Sequence, residues 1–534
     1  MTNPMRRAPS QWVPMASALC VYLGLTTLLV IIGVHRTGGT FVYAQDDPYI
    51  HLTLARTLAE HGVWGIRPNE FASASSSPFW TFLMALSWKL GARAVWWPLV
   101  VNLACGIGLI ALLDHMLERH LGSRERLLTL VAVILVTPLP TLALIGMEHT
   151  LQVLLVISFT WAVVGIIVGD ETASVPTACT LALLLVATRY EGLFVVAAAA
   201  LVLSQCRRRG TAVALCMVAL VPVAVSGAYF IAHGGGLLPN SVLMKSLPER
   251  FATLGGGIAA VLADWIFVVT IFSRPSELTL ALGVLLVLVF VEKGAAAEWT
   301  RAVSIGSMFI ITVFLHSALV KLEFFFRYEG YLMALGIVAL SLALADGRRR
   351  DLVLGPFRRN VAGTLVLVLL ALPVAARALS ALAVTPGAMR NVFEQQYQMG
   401  LFFRDAYPAD TIALNDIGAV GWLSPSPIVD VYGLATQEVA TLKRRGEWDS
   451  IALESLVERR GVKAVAMYEK VFAPIIPRTW TLVGEWQIQD NVGVSEDTVG
   501  FFAPTPADEA RLRAALEAYA PRLPKSVSYR AGVR

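Results

Sequence analysis

Residues 14–33, PMASALCVYLGLTTLLVIIG, are an unbroken apolar run preceded by Arg6-Arg7 and followed by 46–51, DDPYIH. About 20 such residues, coiled as a helix, cross a hydrocarbon layer of roughly 30 Å. The run is too long for a signal-peptide core and no small-x-small site follows it, so it reads as an uncleaved first span. The paired arginines hold its N-terminus in the cytoplasm. The acidic pair therefore emerges on the opposite face.

The rest of the chain repeats this pattern. Hydrophobic residues make up 56% and charged residues 15% of 534, against about 45–50% and 25% in soluble chains. Basic tracts at Arg119 to Arg126, Arg207 to Arg209, Arg348 to Arg350 and Arg358-Arg359 punctuate further apolar runs. That is the positive-inside signal. No basic patch interleaved with aromatics is present, which excludes a single-stranded nucleic-acid partner. The five cysteines lie in or beside apolar runs, with no CxxC or Cys/His spacing for a structural metal.

Spans are expected at about 96–115, 127–145, 150–168, 211–232, 277–291, 302–320, 329–345 and 361–380. Shorter runs lie at 175–188 and 192–205. Residues 79–90 and 253–273 are expected in the interface, and the tally is about eleven crossings. Residues 34–95 form the first outer loop of a membrane domain, 1–384. After about 385 charge rises and short β-branched segments appear (TIALN, IVDVY, KAVAMY, TLVGEWQI, VGFFAP). They imply an extracytoplasmic α/β domain, 385–534, on the far side from the N-terminus. Its end, from about 507, reads as a charged helix and a disordered basic tail. The fold class is thus a polytopic α-helical membrane protein with a C-terminal α/β domain.

Charged residues that could carry chemistry collect at the outer face. Asp47 is expected at the N-cap of a helix over 48–60 with Pro48 at N1, leaving Asp46 free to act as a general base. Asp47 would orient it or hold a divalent cation. Glu148-His149 sits at a hairpin tip, where a merely solvated pair is the plain alternative. Arg189 and Glu191 interrupt an apolar stretch, which is costly unless they pair or line a wet cavity. The loop HGGGLLPNSVLMKSLPER (233–250) carries Asn240 and Lys245. Its glycines permit close approach to a ligand, and Lys245 can neutralise phosphate. Arg327 suits bidentate phosphate contact, with snorkelling as its alternative.

The ordered pieces DDPYIHLTLARTLAEHG, ASSSPFWTFLMAL, GMEHTLQ, TRYEGL, LLPNSVLMKS, FFFRYEGYLM and NDIGAVGWLSPSPIVDVYGLA cover about 40 to 437. This set resembles the GT-C superfamily of polyprenyl-phosphate-sugar-dependent glycosyltransferases. It is most similar to the branch of terminal β-1,2-arabinofuranosyltransferases and type IV pilin arabinosyltransferases. The resemblance implies an inverting transfer, with arabinofuranose the indicated sugar, from a polyprenyl-phosphate donor to a hydroxyl on a glycan, lipid or pilin-like acceptor. The site would be the outer face of a bacterial inner membrane, with the C-terminal domain periplasmic. Asp46 maps onto the base and Asp47 onto its helper. Lys245, Arg327 and Arg189 map around the phosphate. Glu148, Glu191, Tyr328, Asn240 and His51 map around sugar and acceptor. Tyr190 stands where the family carries proline and His149 where it carries a small residue, departures that bear on the sugar. A lipid-linked-sugar flippase would instead place charges at mid-membrane. A non-catalytic glycan-assembly subunit would tolerate loss of Asp46.

Overall fold

The apolar runs are helices because hydrocarbon offers backbone N–H and C=O groups no partner outside their own segment. A computed structural model describes residues 9–243, 275–292, 300–320, 325–345, 350–351, 354–355 and 361–532. Among these, Gln11–Arg36, Trp97–Leu117, Ser123–Ile145, His149–Val168, Arg209–Ala232 and Val361–Ala406 are long and apolar enough to cross a membrane. Val175–Thr188, Gly192–Gln205, Arg301–Ser317 and Gly330–Ala343 are shorter apolar helices. An expectation of about eleven crossings depends on counting such shorter helices as crossings. The segment expected in the interface at 253–273 lies outside the described residues, as does Lys245.

Three departures from the sequence reading shape the site. The span expected at 127–145 is two helices, Ser123–Val136 and Leu139–Ile145. Pro138 cannot supply an N–H to a continuous ladder. The helix Val361–Val392 does not stop near 384. It passes through a π-helical turn, Phe393–Tyr397, and continues as Gln398–Ala406, so membrane and sheet regions share one rod. The basic tail forms a strand, Ser528–Ala531.

Beyond the rod lies a six-stranded sheet in the order β2-β1-β3-β5-β4-β6. Its strands are β1 (Ile412–Leu414), β2 (Ile428–Asp430), β3 (Ala464–Met467), β4 (Thr481–Gln487), β5 (Thr498–Ala503) and β6 (Ser528–Ala531). The first three are parallel; β5, β4 and β6 continue the sheet antiparallel. Phe402 at the end of the rod packs edge-on against Trp486 and Phe501, which anchors the sheet to the rod. The segment between the helices Gln11–Arg36 and Trp97–Leu117 is wedged between sheet and helices. Its helices Asp47–His61 and Pro78–Lys89 pack on each other, and the first also packs on Gly418–Leu423 of the sheet domain.

Candidate active site

The chain leaves the first span, turns at Thr37 to Thr40, and runs alongside the end of Leu139–Ile145, where Ala44 N–H donates to Leu144 O at 3.0 Å. That helix ends at Gly146 with φ +73°, a left-handed stop that glycine alone adopts without cost. A Cβ there would also strike the Tyr43 ring at 2.4 Å. Both contacts bring the segment before Asp46 against the segment before Glu148.

The carboxylates at 46 and 47 point to different partners. The helix begins at Asp47; Asp46 holds the N-cap position and makes no side-chain capping bond. The N-cap position expected at Asp47 is therefore one residue earlier, and the expected carboxylate cap is not made. Asp47 Oδ2 accepts from Arg327 at 2.7 Å. Asp46 is not free as expected. Gly418 N–H donates to its Oδ2 and Ala419 N–H to its Oδ1, both at 2.7 Å. Burial raises the Asp46 pKa, and the nearby Asp416 carboxylate raises it further, against the lowering effect of the two N–H bonds.

Arg327 begins a connected set. It contacts Met147 Sδ at 3.0 Å and lies 5.1 Å from the centre of the Tyr328 ring. Arg189 approaches the same ring at 5.4 Å. Arg189 also donates to Glu148 and to Glu191, each at 2.5 Å. Thus Asp47, Glu148, Arg189, Glu191, Arg327 and Tyr328, drawn from four separate motifs, form one network. His149 sits beside Tyr328, with ring centres 6.2 Å apart. Glu148 is fully buried and its Oε2 has no hydrogen-bond partner among the described residues, nor has Arg189 Nε.

Arg327 is aimed by an unusual turn. Phe325 and Phe326 adopt φ +54° and +61°, a region that costs an L-residue roughly 1–2 kcal/mol. Arg377 on the long rod donates to Phe326 O at 3.0 Å, lies over its ring, and pairs with the buried Glu329. This bracket holds the turn. The sequence reading missed it, since Arg377 sits in an apolar helix with no local partner to mark it.

Other expected residues lie elsewhere. His51 Nδ1 is 3.1 Å from Thr81 Oγ1 and 3.3 Å from Ser75 Oγ, in a buried network within the segment that joins the first two long helices. Asn240 Nδ2 donates to Gln437 Oε1 at 2.8 Å, on the seam with the sheet domain. Asp47 uses one oxygen on Arg327, and among the described residues no group of three His, Cys, Asp or Glu side chains is placed to hold a metal ion. Asp416, in the stretch NDIGA, is a buried acidic residue that no local sequence pattern marks. Tyr468 donates to it, and Gln396, from the π-helical turn, donates at 2.8 Å.

Beside the network lies an apolar groove of about 820 Å³, lined by Phe79, Phe82, Tyr190, Val225 and Tyr229 with Lys89. Tyr190 follows Arg189 in the chain, and its hydroxyl is 2.7 Å from Ser226 Oγ.

ArnT from Cupriavidus metallidurans bound to undecaprenyl phosphate aligns over 94% of this chain and 99% of its own, at 12% identity and a TM-score of 0.51. The chain shares the ArnT fold. At this identity the likeness shows a shared fold and carries nothing more. The Archaeoglobus fulgidus oligosaccharyltransferase in the apo form aligns over 94% of this chain and 78% of its own, at 13% identity and a TM-score of 0.47. Residues 389–502 match a family described as a domain of unknown function (DUF8728). No curated protein matches the sequence.

Proposed function

We propose that the chain is an inverting glycosyltransferase of GT-C type that moves a sugar, arabinofuranose by the motif resemblance, from a polyprenyl-phosphate donor to an acceptor hydroxyl. The observation that carries this reading is the network around Arg189 and Arg327, adjoining Asp46 and lying beside an apolar groove. In this reading Asp46 is the base, the guanidiniums of Arg189 and Arg327 face the donor phosphate, and the groove takes the lipid chain.

Asp46 takes the proton of the acceptor hydroxyl. Each carboxylate oxygen keeps a lone pair beyond the one used by a backbone N–H, and its raised pKa makes it a stronger base than an ordinary aspartate. The hydroxyl oxygen attacks the anomeric carbon from the face opposite the phosphate, so configuration inverts and polyprenyl phosphate leaves. Arg327 and Arg189 meet the charge that develops on the leaving phosphate. Their partners Asp47, Glu148 and Glu191 fix the guanidinium planes but also offset their charge. Attraction of the donor therefore needs a further cation, the role proposed for Lys245. The isoprenoid tail lies in the groove, where each buried CH₂ contributes about 0.8 kcal/mol. Residues 385–534 form the periplasmic part and face a glycan, lipid or pilin-like acceptor at the outer leaflet.

The test is sugar transfer by the purified protein from synthetic polyprenyl-phosphoryl pentoses to an arabinofuranoside acceptor, with product configuration read by NMR. Inverted product with stoichiometric polyprenyl phosphate supports the reading. Movement of intact donor across a vesicle membrane without transfer would replace it by a flippase.

A further inference from the structure

The two bonds that Asp46 accepts come from the sheet domain, more than 370 positions away. Gly418 has no side chain where one could not fit. A Cβ on it would lie 2.2 Å from Asp46 O and 2.5 Å from Asp46 Oδ2, far inside contact distance. The turn bearing these N–H groups is held on both sides. Arg56, from the helix that starts at Asp47, donates to Gly421 O and Trp422 O at 3.3 Å and lies over the Trp422 ring. On the other side Asn415 Oδ1 accepts from Tyr468 N–H at 3.1 Å, while Asp416 is gripped by Tyr468 and Gln396. Gln396 belongs to the π-helical turn of the rod, an irregularity that recurs at functional sites.

We infer that the turn Asn415–Ala419 is a positioning element for Asp46, so that the base is aimed at the acceptor only while the sheet domain is seated on the first outer loop. This rests on the reading of Asp46 as base. The two backbone donors fix the carboxylate plane, which no bond from its own helix does. The sheet domain thereby becomes part of the catalytic apparatus rather than only an acceptor platform, and acceptor binding to it can govern turnover through this contact.

The test uses the full chain in nanodiscs. Hydrogen exchange is followed at the Gly418 and Ala419 amides in wild type and Asp46→Ala. Loss of protection confined to this turn is expected; unchanged exchange overturns the inference whatever the substrate. Gly418→Ala and Ala419→Pro are then assayed with the synthetic polyprenyl-phosphoryl arabinofuranose, and farnesyl phosphate serves as binding probe. Proline is tolerated in the first turn of a helix, where its N–H has no intrahelical role. It therefore deletes one donor without removing an intrahelical bond, and circular dichroism checks that the fold is kept. Misplacing a catalytic group by about 1 Å can cost roughly 100-fold in rate, so kcat should fall by that order with donor KM and farnesyl-phosphate affinity unchanged. Wild-type kcat in both variants, or a loss confined to KM, overturns the inference. Asp46→Asn separates the two claims. If it transfers at the wild-type rate the base assignment fails, and if it is inactive while both turn variants are active, only the positioning claim fails.

Discussion

Replacing Arg189 by Gln should unfold the network from its centre. The side chain is 4% exposed and binds Glu148, which is fully buried, and Glu191, which is 17% exposed, each at 2.5 Å. Gln approximates the shape but removes the charge, leaving two carboxylates with no cation at their oxygens. Removing one partner of a buried ion pair typically costs about 3–5 kcal/mol, because the survivor stays desolvated and unpaired. The more exposed Glu191 can recover some hydration, so Glu148 should carry most of the cost. At 1.36 kcal/mol per decade, 3–5 kcal/mol is roughly a 10²- to 10⁴-fold loss in the folded-to-unfolded ratio. The assay is reversible unfolding in mixed micelles of wild type, Arg189→Gln, Glu148→Gln and the double variant. The double variant should be more stable than Arg189→Gln alone, because the buried charge left behind is gone. A coupling energy above about 1 kcal/mol is expected for residues in direct contact. Arg189→Gln with wild-type stability, or a double variant less stable than Arg189→Gln, would refute the reasoning.

Other outcomes follow from the same geometry. Asp416→Asn removes a negative charge that raises the Asp46 pKa; since the base works ionised, the acid limb of the kcat profile should move to lower pH, and an unmoved or upward-shifted limb would count against the pairing. Leu86→Trp, at an exposed position on the groove wall, puts a large ring in the groove, so KM should rise for a decaprenyl donor but not for a farnesyl one. Arg377→Met frees the turn that aims Arg327, which should lower kcat at least tenfold, as expected when a charge-stabilising donor is misplaced.

The helices were legible because hydrocarbon forces apolar runs to bond internally, and that constraint is written locally. The short runs at 175–188 and 192–205 appear as helices with those bounds, since Arg189 and Glu191 mark the break plainly. Ionisable residues at breaks in apolar sequence were also readable, and for that reason Glu148, Arg189, Glu191 and Arg327 could be named. Their partners were not readable. Arg327 to Asp47 spans 280 positions and Asp46 to Gly418 spans 372, and no local pattern records such pairings. Gly418 is the clearest case. In sequence it is an ordinary glycine in NDIGA; in the structure its bare Cα is what lets Asp46 sit where it does. The edge strand Ser528–Ala531 was missed because Lys525 and Arg530 give it the look of a solvated tail.

The central claim is that Asp46 deprotonates the acceptor. Single-turnover release of polyprenyl phosphate from the synthetic donor, in the presence of acceptor, compares wild type with Asp46→Asn. Loss of a general base typically costs about 10²- to 10⁴-fold, so the variant should retain donor binding and lose transfer by that order. Transfer by Asp46→Asn at the wild-type rate would contradict the account.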